Sequence, residues 1–259
     1  MKTRLLIIIS LTIVALTLLW GLTIRRKKTN ETEKNMKKEN IDTTQIAKRV
    51  LNLIILDESG SMQGLEKASV DGVNETIQTI KSSYEQLPEQ EQLLTFVTFS
   101  NKGDSFYRTK LKLTPISQVS DFKPSDYKPD GCTPLYDTMG LTLTEMEEFA
   151  NDSDVVLVTI ITDGYENSSR QYNAEKIKKL VSRLDEKDWV FTYIGANQDA
   201  ILEAGKMGIR NAMNYHSDEA GTREMWEKER KARMNFMEGT RSGVSVKRLK
   251  DGYFKEENK

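Results

Sequence analysis

Thiol and imidazole groups are nearly missing from this chain: its 259 residues hold one cysteine, Cys132, and one histidine, His216. A lone cysteine excludes an intrachain disulfide and any cysteine-based zinc cluster. Cys132 is read instead as a small buried thiol in its loop. A lone histidine leaves a Ser-His-Asp hydrolase one possible base, yet His216 is remote from Ser59 in sequence and no G-x-S-x-G elbow is present. His216 is therefore read as a surface or capping residue. The phosphate-cradling pattern G-x-x-x-x-G-K-[ST] is absent too, which removes support for a nucleotide-driven mechanism. Excess charge of one sign is also lacking. Formal net charge is −1, and Arg241, Lys247, Arg248 and Lys250 are interspersed with acids, so no nucleic-acid partner is expected.

What the chain does have is oxygen at the ends of apolar runs. Asp57-Glu58-Ser59-Gly60-Ser61-Met62 places a carboxylate and two hydroxyls on a turn directly after the apolar run 51–56. Gly131-Cys132-Thr133-Pro134 offers a further hydroxyl on a loop bounded by glycine and proline. Thr162-Asp163-Gly164 puts a second carboxylate after the run 155–161, so Asp57 and Asp163 are each expected one residue past a buried strand. Side-chain oxygens without sulfur or nitrogen suit a hard divalent cation such as Mg²⁺. Two carboxylates at about 5 Å in an effective dielectric near 20 would repel by roughly 3 kcal/mol, which gives a cation between them an electrostatic purpose. The competing reading is local: Asp57 and Ser59 cap the next helix, and Asp163 opens a turn.

The order D-x-S-x-S, G-x-T-P, T-D-G resembles the metal-ion-dependent adhesion site of the von Willebrand factor type A domain, over roughly residues 48–243. The resemblance implies that Ser59, Ser61 and Thr133 ligate Mg²⁺, or Mn²⁺ in its place, through their hydroxyls. Asp57 and Asp163 would act directly or through water. It also implies that an acidic side chain of a protein partner completes the coordination.

The amino terminus is of another composition. Residues 5–24 carry no charge, and about 20 residues at 1.5 Å each span the roughly 30 Å hydrocarbon core of a bilayer. Leu18-Leu19-Trp20-Gly21-Leu22-Thr23 makes a poor cleavage site, so an uncleaved transmembrane helix is expected in place of a signal peptide, with Trp20 at the interface. Arg25, Arg26, Lys27 and Lys28 follow it against only Lys2 and Arg4 before it. The positive-inside rule then leans to a cytoplasmic body. Short basic leaders also direct export, and both sides stay open. The expected organisation is an anchor with basic flanks over 1–28, a flexible polar linker over 29–47, the domain over 48–243 and a polar tail over 244–259.

Strand and helix alternate along the domain. Val73, Ile77, Ile80, Tyr84 and Leu87 repeat at helical spacing,. Strands are predicted over 93–100 and 106–113, joined by a link too short for a parallel crossover, which makes the second of them an antiparallel edge strand. A helix over 134–149, a strand over 155–162, a helix over 174–184, a strand over 189–194, a helix over 199–206, a strand over 212–215 and a charged helix over 219–237 complete the pattern. This predicts an α/β fold with a doubly wound, mostly parallel six-stranded sheet of order 3-2-1-4-5-6, in which Asp57 and Asp163 become neighbours. In the final helix Met225, Trp226, Met234, Phe236 and Met237 are taken as the packing face, and its Lys, Arg and Glu as a solvated face.

Function is expected to be binding, with no enzymatic activity: a membrane-anchored module that captures a partner's acidic side chain through the metal. Metal-dependent hydrolysis or phosphoryl transfer is the first alternative and would need a general base or a second metal near the site, for which Glu58 is the adjacent candidate base. A structural assembly role for the final helix is the second.

Overall fold

The computed structural model describes residues 49–103, 105–196 and 199–254. The anchor and linker expected over 1–47 lie outside the described residues; among those described, no helix is long and apolar enough to cross a membrane. The residues described below belong to the compact unit that begins at Ile46.

Strand β1 (Arg49–Asp57) is buried from Val50 onward, as a strand covered on both faces must be. It lies between β2 (Glu91–Lys102) and β4 (Val155–Thr162), parallel to both. With β3 (Ser105–Pro115), β5 (Trp189–Ala196) and β6 (Asn211–Tyr215) they form a six-stranded sheet of order β3-β2-β1-β4-β5-β6. β3 is antiparallel to β2 and closes one edge. Order, parallelism and the antiparallel edge strand all agree with the expectation from the sequence.

Alternation along β1 sorts the helices. Leu51, Leu53 and Ile55 pack with Leu135, Met139 and Leu143 of α2 (Leu135–Phe149), with Ile177 and Leu184 of α3 (Ala174–Asp185) and with Ala200 and Ala204 of α4 (Ala200–Lys206). Ile54 and Leu56 face the other way, onto Val73, Ile77 and Ile80 of α1 (Glu66–Gln86) and Trp226 and Met237 of α5 (Glu219–Arg241). At Gly72 α1 packs directly on Trp226 of α5; a methyl group there would sit 2.1 Å from the Trp226 ring.

Two expectations about the carboxyl-terminal part are corrected. The charged face of α5 is not wholly solvated: Glu229 and Arg233 are fully buried, while Met234, taken as core, is 48% exposed. Arg233 pairs with Glu229 at 2.8 Å and donates to Asn52 Oδ1 of β1 and Thr159 Oγ1 of β4, each at 2.8 Å. The second concerns 244–254, the described part of the expected polar tail, which also buries apolar side chains. It carries α6 (Val246–Lys250), with Val246 and Tyr253 buried and Tyr253 Oη donating to Glu229 Oε1 at 3.4 Å. Val246, Leu249, Tyr253 and Phe254 supply the apolar contacts that hold it.

An ion pair removed from water is expensive to break from one side. Arg233→Met should therefore lower unfolding stability by about 3–5 kcal/mol, because Glu229 is left charged and buried without its cation,. Arg233→Met combined with Glu229→Gln should recover part of that loss in urea denaturation. A single-variant loss below about 1 kcal/mol would show that the pair does not secure α5.

Candidate metal centre

Registry places the first carboxylate. Leu56 pairs with Ile161, and Asp57 pairs with Phe99, so Asp57 is the last ladder residue of β1 and not the residue beyond it. Thr162 ends β4 beside it and donates its hydroxyl to Asp57 Oδ2 at 2.5 Å, while the Ser59 backbone N–H donates to Oδ1 at 2.7 Å. The chain then turns through the short 3₁₀ segment Gly60–Met62, where the Ser59 side chain makes no capping bond. α1 begins only at Glu66, with Leu65 at its N-cap position. Capping thus does not explain Asp57 or Ser59.

Side chains of the turn meet those of the other two motifs. Ser59 Oγ and Ser61 Oγ lie 3.1 Å apart, and Ser61 Oγ donates to Asp163 Oδ1 at 2.6 Å. Thr133 arrives on a loop stitched to the turn: Gly60 N–H donates to Gly131 O at 3.0 Å, Asp130 N–H to Glu58 O at 2.8 Å and Asn101 N–H to Cys132 O at 2.9 Å. Gly131 adopts φ +84°, and any Cβ there would stand 2.7 Å from Asn101 O, so this stitch requires glycine,. A methyl on Gly164 would lie 3.5 Å from both Ser61 Oγ and Thr133 Oγ1, which places those hydroxyls on one side of the Asp163 turn. The structure accordingly gathers Asp57, Ser59, Ser61, Thr133 and Asp163 at the carboxyl edge of β1 and β4.

The charge at this edge is unbalanced. Asp57 is 0% and Asp163 3% exposed, and among the described residues neither has a cationic side chain within ion-pair distance. Burial, with a smaller push from the charge of Asp163, raises the Asp57 carboxyl to about 6 against the opposing bonds from Thr162 and Ser59. Burial, with help from Asp57, also holds the Tyr127 hydroxyl well above its ordinary value as it donates to Asp57 O. Two buried carboxylates, three hydroxyls and no cation form a donor set that fits a hard divalent ion. Among the described residues no three His, Cys, Asp or Glu side chains gather into a metal cluster, so such an ion would rely on the hydroxyl oxygens.

Several supporting residues carry no sequence signal. Asn167 brackets Thr133, accepting from its N–H at 2.8 Å and donating its own N–H to Thr133 O at 3.2 Å. Ser217, just before α5, donates to Asp163 Oδ2 at 3.2 Å. Asp137, buried in the first turn of α2, accepts from the N–H groups of Arg170, Gln171 and Tyr172 at 2.7–2.8 Å and fixes the loop that follows Asp163. These contacts span tens of residues and no local spacing announces them. Cys132 is exposed and not buried as expected: its carbonyl is fastened to Asn101 while the thiol faces outward. Glu58, the candidate base for hydrolysis, accepts from Lys128 N–H at 2.7 Å and faces Arg108 at 3.4 Å.

No family model and no curated protein matches the sequence. Solved structures do match the fold. A von Willebrand factor type A protein from Catenulispora acidiphila superposes with a TM-score of 0.54 at 13% identity, covering 72% of this chain and 43% of that one. The pilus adhesin SpaC from Lactobacillus rhamnosus GG, in its open conformation, gives 0.52 at 14% identity, covering 71% and 30%. This chain therefore spans less than half the length of either. The fold is that of a von Willebrand factor type A domain.

An unbalanced buried carboxylate has a thermodynamic signature. Asp57 ionises near 3.8 when unfolded and at about 6 in the metal-free fold. Its contribution is thus present below pH 4 and is lost as pH rises through 6, a swing on the order of 3 kcal/mol. With chelator present, Asp57→Asn should match the parent at pH 4 and exceed it in urea denaturation at pH 7.5. A less stable Asp57→Asn at pH 7.5 would mean that the charge is already compensated.

Proposed function

We propose that this chain is a membrane-anchored protein-binding module whose site, formed by Asp57, Ser59, Ser61, Thr133 and Asp163, holds Mg²⁺ or Mn²⁺ and recruits a carboxylate of a partner protein. The observation that carries this reading is the pair of buried, cation-free carboxylates ringed by neutral hydroxyls. When bound, the ion would keep net positive character and offer a coordination position to an incoming acid. The chain's own residues do the rest. Ser61 is exposed at the mouth, Thr162 and the Ser59 N–H orient the Asp57 carboxylate, and Asn167 fixes the height of Thr133. One of the solved structures of like fold is a pilus adhesin, in keeping with a binding role.

Membrane attachment rests on the uncharged run 5–24, with the body on the side that retains the basic flank,. The hydrolytic alternative is disfavoured by Glu58, whose carboxylate is occupied away from the hydroxyl cluster by Lys128 N–H and Arg108. Assembly through α5 is disfavoured by the burial of Met225, Trp226, Phe236 and Met237 within their own domain.

Thr133→Ala separates site from scaffold. It should lower metal-free stability by only about 1–2 kcal/mol, since one hydroxyl and one methyl are removed from a buried side chain in the crevice wall,. It should also abolish both the melting-temperature gain produced by Mg²⁺ and the chelator-sensitive capture of partners from native membranes. Capture that persists equally with chelator would contradict the metal reading.

A further inference from the structure

The crevice has two unlike shoulders. On the β3 side, Lys128 lies two residues before Asp130 of the stitched loop, and Lys102 ends β2 next to Asn101, whose N–H holds that loop, with Arg108 and Lys110 on β3. Their acids do not balance them. Glu58 faces Arg108 at 3.4 Å, and Asp130 is paired with Lys102 at 3.0 Å. The Asp126 carboxylate accepts from Lys123 N–H and the Ser125 hydroxyl. Lys110 reaches only the backbone carbonyl of Asp126, at 2.7 Å. Lys128 is exposed and has no carboxylate within ion-pair distance among the described residues. A groove of about 640 Å³ runs between these side chains.

On the β5 side the same edge is apolar. Tyr165, two residues past Asp163, is 54% exposed, and Ile201 and Leu202 in the first turn of α4 are 65% and 58% exposed. They make up three of the five large hydrophobics left exposed among the described residues, and α4 follows β5, the strand next to β4. Apolar side chains gathered on one rim of a polar crevice mark a contact surface.

We infer that the partner presents its metal-seeking carboxylate within an asymmetric segment, with further acidic residues lying against Lys110 and Lys128 and apolar side chains lying against Tyr165, Ile201 and Leu202. This rests on the metal-dependent reading of the site and specifies the chemistry of its partner. The two flanks reject different competitors. A basic neighbour would meet Lys110 and Lys128, and a charged one on the far side would be desolvated against Ile201.

The test uses the full-length chain and fluorescein-labelled nonapeptides with a central Asp, followed by anisotropy in Mg²⁺. One peptide carries three Glu on one side and Phe-Leu on the other, a second has the reverse order, and a third has Ser in every flank. One of the two orders should bind about ten-fold tighter than the Ser peptide, and its advantage should shrink as salt is raised, because rim charges are screened. Lys110→Ser with Lys128→Ser should erase the part due to Glu, and Tyr165→Ser with Ile201→Ser the part due to Phe-Leu. Equal, chelator-sensitive affinity for all three peptides would overturn this inference while leaving the metal reading intact. Flank-dependent binding indifferent to chelator would uphold the shoulders and overturn the metal reading. No binding of any peptide at about 1 mM would overturn the inference outright.

Discussion

Repulsion between two carboxylates that the sheet itself forces together is the constraint around which this domain is organised. β1 and β4 are adjacent and in register, so their ends deliver Asp57 and Asp163 to one edge, both out of reach of bulk water. Everything nearby answers that charge with neutral donors: the Thr162 hydroxyl and Ser59 N–H on Asp57, the Ser61 and Ser217 hydroxyls on Asp163. None of these donors brings a positive charge. A net negative pocket lined by hydroxyls attracts a cation without neutralising it in advance.

The middle of the sheet handles buried charge in the opposite way. Arg233 and Glu229 are also fully buried, but they satisfy one another and pin α5 to Asn52 and Thr159 in the middle of β1 and β4. One pair of strands therefore carries a closed, compensated network at its centre and an open, uncompensated one at its carboxyl end. Ser217 stands directly ahead of α5 and bonds Asp163, so the helix fastened by the first network is contiguous in chain with a residue of the second.

Much of this was legible from the residues. Largely apolar runs leading to Asp57 and Asp163 marked β1 and β4, and the short link after β2 marked β3 as the antiparallel edge strand. The strand order followed, and with it the meeting of Asp57, Ser59, Ser61, Thr133 and Asp163. Other features were not legible, for particular physical reasons. Glu229 and Arg233 look like any exposed i,i+4 pair until the polar Asn52 and Thr159 opposite them are known, and Met234 sits one position off the buried stripe. Cys132 points outward because its loop is held by a backbone bond from Asn101, which residue type does not reveal. Asn167 and Ser217 act across long separations, and only the folded loops bring them to the site.

Electron paramagnetic resonance of Mn²⁺ added to the full-length chain addresses the central claim most directly, since free aqueous Mn²⁺ is visible and the bound ion is not. The account predicts that one equivalent of Mn²⁺ disappears from the free signal, that excess Mg²⁺ returns it, and that Asp163→Asn leaves it free throughout. Unbound Mn²⁺ in the parent chain, or equal uptake by parent and Asp163→Asn, would contradict it.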